Sequence, residues 1–156
     1  MSIVDLPPTE TKEGRNRPRR DVRVYQDADA LSTGVAEEIL LLADAAVREK
    51  GRFDLVLSGG RTPRRIYELL ARDYGDRLPW PHVQLFWGDE RYVPVDDSRS
   101  NLRMVREALI DRLALPVANV HAMPTNFPHP EEAARAYETE LRKHFAGGVP
   151  AFDLVL

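Results

Sequence analysis

Hydrophobic positions along this chain follow two spacings, one typical of helices and one typical of buried strands. Across residues 29–50 the apolar side chains recur every three or four positions, which predicts an amphipathic helix. Its inward positions are Leu31, Val35, Ile39, Leu42 and Ala46. Asp27 or Asp29 can cap the start of this helix, and Gly51 stands where helices commonly end. The short, mainly apolar segment 53–57 that follows predicts a parallel strand buried on both faces.

The alternation of helices and strands continues to the end of the chain. Further strands are expected at 22–25, 83–88, 120–123 and 152–156. Further helices are expected from Thr62, with Thr62 as N-cap and Pro63 in the first turn, and then at about 100–113 and 130–145. Their inward positions are Ile66, Leu69 and Leu70, then Leu102, Val105, Leu109 and Leu113, and finally Ala134, Tyr137, Leu141 and Phe145. Such alternation predicts an α/β fold with a doubly wound, mostly parallel sheet flanked by helices.

Composition narrows the class of protein. The 156 residues suffice for one domain, and the formal net charge of −3 gives no overall basic field, so nucleic acid is not an expected partner. The chain has no cysteine, which excludes disulfides and thiolate metal sites within it. No apolar run approaches the roughly 20 residues that span a bilayer, and the amino terminus lacks the order of a signal peptide. We therefore expect a cytoplasmic protein without a membrane partner.

The two ends of the chain differ from its middle. Residues 1–20 are polar, with two prolines and a basic run, and are expected to form a flexible tail in front of an α/β domain at 21–156. The chain stops within the apolar segment 152–156, although a buried parallel strand needs cover on both faces. The sequence therefore predicts that the C-terminal part of the domain is missing.

A glycine-rich turn follows the strand at 53–57. In Ser58-Gly59-Gly60-Arg61-Thr62-Pro63 the glycines let backbone N–H groups approach an anion, and the helix that follows directs its positive end to the same place. The hydroxyls and a guanidinium, from Arg61 or Arg64, can add donors to a phosphate. The alternative is a tight turn in which the glycines only relieve strain. The spacing matches neither a P-loop nor a dinucleotide fingerprint, so a nucleotide cofactor is not expected.

A second polar turn follows the strand at 83–88. Asp89 can act as a base, orient a catalytic group or bind a sugar hydroxyl, and Arg91 can pair with a phosphate or carboxylate. The alternative is a local salt bridge between Arg91 and either Asp89 or Glu90. Because ligands of doubly wound sheets gather at the carboxyl ends of the strands, this turn and the glycine turn are expected to be two walls of one site.

The remaining polar residues add less to this site. Asn101, in the first turn of the predicted third helix, can reach into the cleft, and Ser98 or Ser100 is expected to be an N-cap. Asp96 and Asp97 lack a third ligand at suitable spacing, so no metal site is predicted. The histidines at 82, 121, 129 and 144 are scattered, and structural roles are expected for them; His144 lies near a helix end, where it can complement the dipole.

These motifs resemble those of the 6-phosphogluconolactonase family. The resemblance rests on Ser58-Gly59-Gly60-x-Thr62-Pro63, on Trp87-Gly88-Asp89-Glu90-Arg91-x-Val93-Pro94 with Ser100-Asn101 behind it, and on the segment 152–156, and it covers about 22–156. It implies a Rossmann-like fold and hydrolysis of 6-phospho-D-glucono-1,5-lactone to 6-phosphogluconate in the oxidative pentose phosphate pathway, without metal or cofactor.

The resemblance also implies roles for individual residues. The phosphate would lie on Ser58, Gly59, Gly60, Arg61 and Thr62, with Asp89 and Arg91 as catalytic residues and Glu90 and Asn101 as weaker substrate contacts. Many relatives have serine where this chain has Arg61. The family's Gly-x-Asp-Gly-His-type loop, whose histidine is the expected general base, would come after Leu156. We therefore expect this chain alone to have little or no activity.

Two other readings remain open. A glucosamine-6-phosphate deaminase-like enzyme would resemble this chain, but such relatives have tyrosine at the position of Arg91. A non-catalytic sugar-phosphate-binding module could share the same fold, because a fold does not fix a function.

Overall fold

The computed structural model describes residues 22–156, which fold around a four-stranded parallel sheet. The strands are β1 (Phe53–Leu57), β2 (Val83–Trp87), β3 (Val120–His121) and β4 (Leu154–Val155). The helices are α1 (Ala28–Lys50), α2 (Arg61–Asp73), α3 (Asn101–Ala108) and α4 (Pro130–His144), with 3₁₀ turns at Trp80–His82, Ile110–Arg112 and Val117–Asn119. The α/β fold with a parallel sheet is confirmed. The predicted tail at 1–20 lies outside the described residues.

The direction of winding reverses beside β1. The sheet order is β3-β2-β1-β4, so the chain moves outward from β1 through β2 to β3 and then crosses back to place β4 on the far side of β1. Ligands of open α/β sheets bind outside the carboxyl ends of the strands at such a reversal. The turn that follows β1 therefore lies where the topology favours a binding site.

The two faces of the sheet are covered differently. Alternate residues of β1 and β2, including Leu55, Leu57 and Leu85, enter the main core with α1, α2 and α3. Phe86 points to the opposite face, where it is fully buried among aromatic rings. These are His121 (ring centroids 4.4 Å apart), His144 (4.9 Å), Phe152 (5.2 Å) and Phe145 (6.0 Å). Across residues 22–156 no helix has the length and apolarity needed to cross a bilayer.

Helix α1 begins and ends at the residues that the sequence indicated, and two of its predicted inward positions, Ile39 and Ala46, are buried. The Asp27 carboxylate accepts hydrogen bonds from the N–H groups of Asp29 (3.0 Å) and Ala30 (2.8 Å), and Gly51 ends the helix in the left-handed conformation (φ 80°). The fully buried positions are Ser32, Ala36, Ile39, Ala43 and Ala46. Small side chains let the helix approach the core closely, so the larger Leu31, Val35 and Leu42 flank the contact and are half-buried.

The predicted strand at 22–25 was wrong. Val22 and Val24 are 80% and 91% exposed, and no strand of the described sheet pairs with this segment. It lies along α1 instead, where Arg23 pairs with Glu38 (2.7 Å) and the Tyr25 ring occupies the space beside Gly34. An alternating pattern of four residues was too short to specify a ladder partner.

Three predicted helix details also differ. The N-cap of α2 is Gly60 rather than Thr62, because Gly60 adopts φ 111°, which favours glycine, and the helix begins at Arg61. Helix α3 ends at Ala108, since Leu109 leaves helical geometry and the chain tightens into a 3₁₀ turn. On α4 the inward alanine is Ala133, not the exposed Ala134, because Ala133 shares the face of buried Tyr137.

An ionised cluster lies at the amino end of β1. Asp54 is fully buried, and its carboxylate accepts hydrogen bonds from Lys50 (3.0 Å), Arg52 (3.0 Å) and His144 Nε2 (2.8 Å). Lys50 also reaches Asp153 (2.9 Å) beside β4. Burial acts to raise the pKa of Asp54, but the surrounding donors outweigh it and hold that pKa below its usual value. The cluster joins α1, β1, α4 and the start of β4 at the end of the sheet opposite the glycine turn.

Candidate active site

The two polar turns predicted from the sequence lie side by side at the carboxyl end of the sheet. Strands β1 and β2 pair in parallel with Leu57 opposite Trp87, and the Gly88 N–H extends this pairing by donating to the Leu57 carbonyl (3.0 Å). The glycine loop (residues 58–60) and the acidic loop (residues 88–91) therefore leave neighbouring strands at the same level. This geometry agrees with the expectation that the two loops form adjacent walls of one site.

Asn101 joins the two loops. Its side-chain Nδ2 donates to the Asp89 carbonyl (3.0 Å) and to Asp89 Oδ1 (3.3 Å). On its other side it lies against Gly59, where a side chain would place Cβ only 2.0 Å from Asn101 Oδ1. Asn101 is 5% exposed, so its amide is enclosed between the loops. The close approach explains why the first glycine is required at position 59.

The local salt bridge considered as an alternative is present. Arg91 Nη1 donates to Asp89 Oδ2, while Asp89 Oδ1 receives the weaker bond from Asn101. The side chains of Asp89 and Arg91 are 57% and 53% exposed, so solvent or a ligand can reach both. An exposed pair of this kind contributes little to stability, so a ligand could replace it at little cost in free energy.

Glu90 faces the protein rather than the open side of the loops. Its Oε1 accepts hydrogen bonds from the N–H groups of Arg91 and Asn101, both 2.7 Å, and its Oε2 accepts from Leu102 N–H (2.7 Å) and from Ser100 Oγ (3.3 Å). The carboxylate thus satisfies unpaired donors at the start of α3 and interacts favourably with the helix dipole. Ser100 is the N-cap, as one of the two predicted options, and its Oγ accepts from Arg103 N–H (3.1 Å).

The two arginines near the start of α2 differ in their surroundings. Thr62 and Arg61 are exposed, and Arg61 forms no ion pair with any residue in 22–156. Arg64, the other guanidinium considered, is held by Glu68 (2.9 Å) and lies 3.7 Å from Glu107. Gly60 accepts the first helical hydrogen bond from Arg64 N–H (3.1 Å). Arg61 is therefore the arginine with freedom to meet an anion at this helix N-terminus.

Ser58 is already bonded on three sides. Its hydroxyl donates to the Leu156 carbonyl (2.5 Å), its N–H donates to the Tyr67 hydroxyl (3.0 Å), and its carbonyl accepts from the same hydroxyl (3.0 Å). Burial raises the pKa of Tyr67 to about 12, although the hydrogen bond from Ser58 acts to lower it. The hydroxyl therefore stays protonated over the usual pH range and can keep both bonds.

The described histidines bond to neighbouring side chains and backbone, and none joins a metal-binding group. His121 bonds Glu140 (2.9 Å) and Gln84 (2.8 Å), His144 bonds Asp54, and His82 contacts the Gly51 carbonyl (3.1 Å). Within residues 22–156 there is no group of three or more His, Cys, Asp or Glu arranged to hold a metal ion. The absence of a metal in the reaction stays a prediction.

Comparison with known proteins agrees with this geometry. A profile of the family described as glucosamine-6-phosphate isomerases/6-phosphogluconolactonase matches residues 26–156. The chain belongs to this family. Among its relatives, a 6-phosphogluconolactonase of Synechocystis sp. is 50% identical over 114 residues, which are 71% of this chain and 46% of the relative. A 6-phosphogluconolactonase of Nostoc sp. is 41% identical over 141 residues, or 88% of this chain and 58% of the relative.

Solved structures give the same result. The crystal structure of 6-phosphogluconolactonase from Thermotoga maritima superposes with a TM-score of 0.70 at 38% identity, over 80% of this chain and 53% of that one. The 6-phosphogluconolactonase from Trypanosoma cruzi gives a TM-score of 0.71 at 26% identity, over 85% and 55%. The chain spans about half the length of the relatives it matches.

Two residues that support the glycine and acidic loops were not identified from the sequence. Tyr67 was not singled out, and Tyr137 was assigned only to an inward helix face, yet each hydroxyl bonds the backbone at the carboxyl end of a central strand. A usable signal was present, since a tyrosine on an inward helix face needs a partner for its hydroxyl. The sequence did not show that the partner would be a strand terminus.

Proposed function

We propose that the whole protein hydrolyses 6-phospho-D-glucono-1,5-lactone to 6-phosphogluconate. The observation that carries this proposal is Asn101, which links Gly59 of the glycine loop to Asp89 of the acidic loop at the point where the sheet reverses its winding. The proposed phosphate anchor and the charged pair of Asp89 and Arg91 would thereby lie close together. The names of the relatives, 6-phosphogluconolactonase at up to 50% identity, support the same reaction.

The phosphate is proposed to bind where the glycine loop meets α2. Gly59, Gly60 and Thr62 offer backbone N–H groups beside the positive end of a 13-residue helix, and Arg61 and the Thr62 hydroxyl are exposed there. The Ser58 hydroxyl is bound to Leu156, so Ser58 contributes by shaping the loop unless that bond is exchanged for one to the ligand. This anchor would fix the sugar ring relative to the acidic loop.

Asp89 and Arg91 are proposed to face the lactone. Hydrolysis of a lactone develops negative charge on the carbonyl oxygen, and a guanidinium near that oxygen stabilises the charge. Asp89 would orient Arg91 and a hydroxyl of the substrate, since its two oxygens already bind Arg91 and Asn101. Glu90 and Asn101 would keep both loops in place. A histidine after Leu156 as the general base stays a prediction, as do the domain assignment 21–156, a cytoplasmic location and the absence of nucleic-acid partners.

The proposal is tested by measuring lactone hydrolysis above the spontaneous rate with the protein that the gene encodes. Asp89→Asn and Arg91→Gln should each lower kcat/KM by at least about tenfold, which corresponds to about 1.4 kcal/mol. The control is Asp73→Asn, which changes an exposed aspartate paired with Arg72 (2.7 Å) at the far end of α2 and should leave the rate unchanged.

Two other results would contradict the proposal. Release of ammonia from glucosamine 6-phosphate without lactone hydrolysis would identify a deaminase. Binding of 6-phosphogluconate without any turnover would identify a non-catalytic sugar-phosphate module.

A further inference from the structure

At the end of β2, a side chain instead of a neighbouring strand supplies the hydrogen-bond partners of the backbone. Backbone groups of successive strand residues face opposite neighbours. Because the Gly88 N–H is directed to Leu57 on β1, the N–H and carbonyl of Trp87 face the β3 side, where the strand has already ended at His121. The Tyr137 hydroxyl accepts from Trp87 N–H (2.9 Å) and donates to the Trp87 carbonyl (3.1 Å).

The end of β1 has the same arrangement on its other side. The Leu156 N–H donates to the Val56 carbonyl (3.1 Å), so in a continued parallel ladder the Ser58 N–H would donate to the Leu156 carbonyl. The Ser58 N–H donates to the Tyr67 hydroxyl instead, and the Leu156 carbonyl accepts a hydrogen bond from the Ser58 hydroxyl. Tyr67 therefore ends the pairing of β1 with β4 directly before the glycine loop, at the point where winding reverses.

We propose that Tyr67 is a positioning residue of the phosphate anchor, because its hydroxyl holds both backbone groups of Ser58 and so keeps the glycine loop out of the sheet. This inference rests on the proposed function. Tyr67 is completely buried and cannot touch a ligand itself. Its effect passes through Ser58 to Gly59 and Gly60, whose N–H groups are proposed to bind the phosphate.

Tyr137 supplies a matched control for this role. Its hydroxyl makes the same pair of backbone bonds, it is similarly buried, and burial likewise raises its pKa to about 12. It differs in acting on β2 from α4, on the side of the sheet away from the glycine loop. Removing either hydroxyl leaves two backbone groups without their partner, so the two changes should cost similar stability. Only the change at Tyr67 should disturb phosphate binding.

The experiment is a titration of the ¹⁵N-labelled chain with 6-phosphogluconate, followed at the amide signals of Gly59 and Gly60. Tyr67→Phe should weaken binding by about fivefold or more, equivalent to about 1 kcal/mol, and reduce the shift of both glycine signals at saturation. With inorganic phosphate as the ligand, Tyr137→Phe should stay within about twofold of the unchanged chain, because Tyr137 holds the residue before the acidic loop and not the glycine loop. Inorganic phosphate, titrated in parallel, should reproduce the same order if the phosphate group is what the loop binds.

The outcomes separate this inference from the proposed function. Glycine signals that do not respond in the unchanged chain would contradict the phosphate site itself. Two outcomes would overturn only the role of Tyr67. In the first, the glycine signals respond equally in the unchanged chain and in Tyr67→Phe; in the second, both phenylalanine variants weaken binding equally. Amide hydrogen exchange of the unchanged chain gives a test that needs no variant. The Ser58 N–H should exchange as slowly as those within β1, and exchange as fast as at Gly60 would refute the inference.

Discussion

The side chain of Asn101 occupies the space that any side chain at Gly59 would need. A Cβ at position 59 would lie 2.0 Å from Asn101 Oδ1 and 2.6 Å from its Cγ, far inside van der Waals contact. The backbone of Gly59 lies outside the left-handed region where glycine is favoured. The requirement for glycine therefore comes from a neighbour on another element, Asn101 on α3. The contact makes the geometry of the two loops interdependent.

Gly59→Ala should consequently displace Asn101 and separate the loops. We expect at least a tenfold loss of kcat/KM for the lactone and a destabilisation of about 1–3 kcal/mol, typical of overpacking. Asn101→Ala should also lower activity, but in the double variant the clash is absent, so the two losses should be less than additive. Gly51→Ala is the control, since it has a strained φ of 80° but no atom within 4 Å. Strict additivity would show that the two residues do not interact.

Glu90→Gln should loosen the same region from the other side. The glutamine would place an NH₂ donor against either the Asn101 or the Leu102 N–H, since the carboxylate accepts from both. We expect a loss of about 1–3 kcal/mol in the free energy of unfolding and a lower kcat. Glu138→Gln, which removes an exposed pair with Arg142, should cost less than about 0.5 kcal/mol. Equal unfolding midpoints for the two variants in urea would contradict the role given to Glu90.

Some features of this fold follow from residue types along the chain, and others depend on packing. The adjacency of the glycine and acidic loops could be predicted because the carboxyl ends of neighbouring parallel strands meet at one edge of the sheet. Glu90 could not be separated from Asp89 in the same way. Both are acids at one strand end, and only the path of the chain to α3 decides which of them meets helix N–H groups.

Packing, not periodicity, decides the features of this fold that the sequence did not predict. In α1 the spacing of apolar residues was correct and Ile39 is buried as predicted, but the closest approach to the core favours Ala36 and Ala43 over Leu31, Val35 and Leu42. At 22–25 the alternation of Val22 and Val24 indicated a strand, although both valines face solvent. The inward face of α2 was predicted from Ile66, Leu69 and Leu70, while the bonds of Tyr67 to Ser58 depend on how that helix packs against the end of β1.

The cluster around Asp54 predicts how stability depends on pH. A carboxylate with a lowered folded-state pKa stabilises fully above its unfolded value, about 4, and that contribution is lost as the pH falls through the folded value. Asp54→Asn should therefore flatten the acid side of the stability curve. At pH 7 it should cost about 3 kcal/mol, because Lys50 and Arg52 lose a buried partner.

A second acid controls for general effects of removing a carboxylate. Asp97 also has a lowered pKa, about 2, caused mainly by hydrogen bonds from Arg99, but it lies on an exposed loop. Asp97→Asn should change the midpoint of urea unfolding at pH 7 far less than Asp54→Asn does. If both variants unfold at the same urea concentration, the buried cluster does not have the stabilising role assigned to it.

Arg61 gives the most direct test of the charge at the phosphate anchor. It is exposed beside Gly60, and within residues 22–156 it has no ion-pair partner, whereas Arg65 one turn later on α2 lies 3.8 Å from Asp29. Arg61→Ala should weaken 6-phosphogluconate binding by about tenfold, the value of one charge-assisted hydrogen bond, and reduce its dependence on salt. Arg65→Ala should change neither quantity in calorimetric titrations between low and high ionic strength. An unchanged affinity in Arg61→Ala would mean that the loop N–H groups bind the phosphate without this guanidinium.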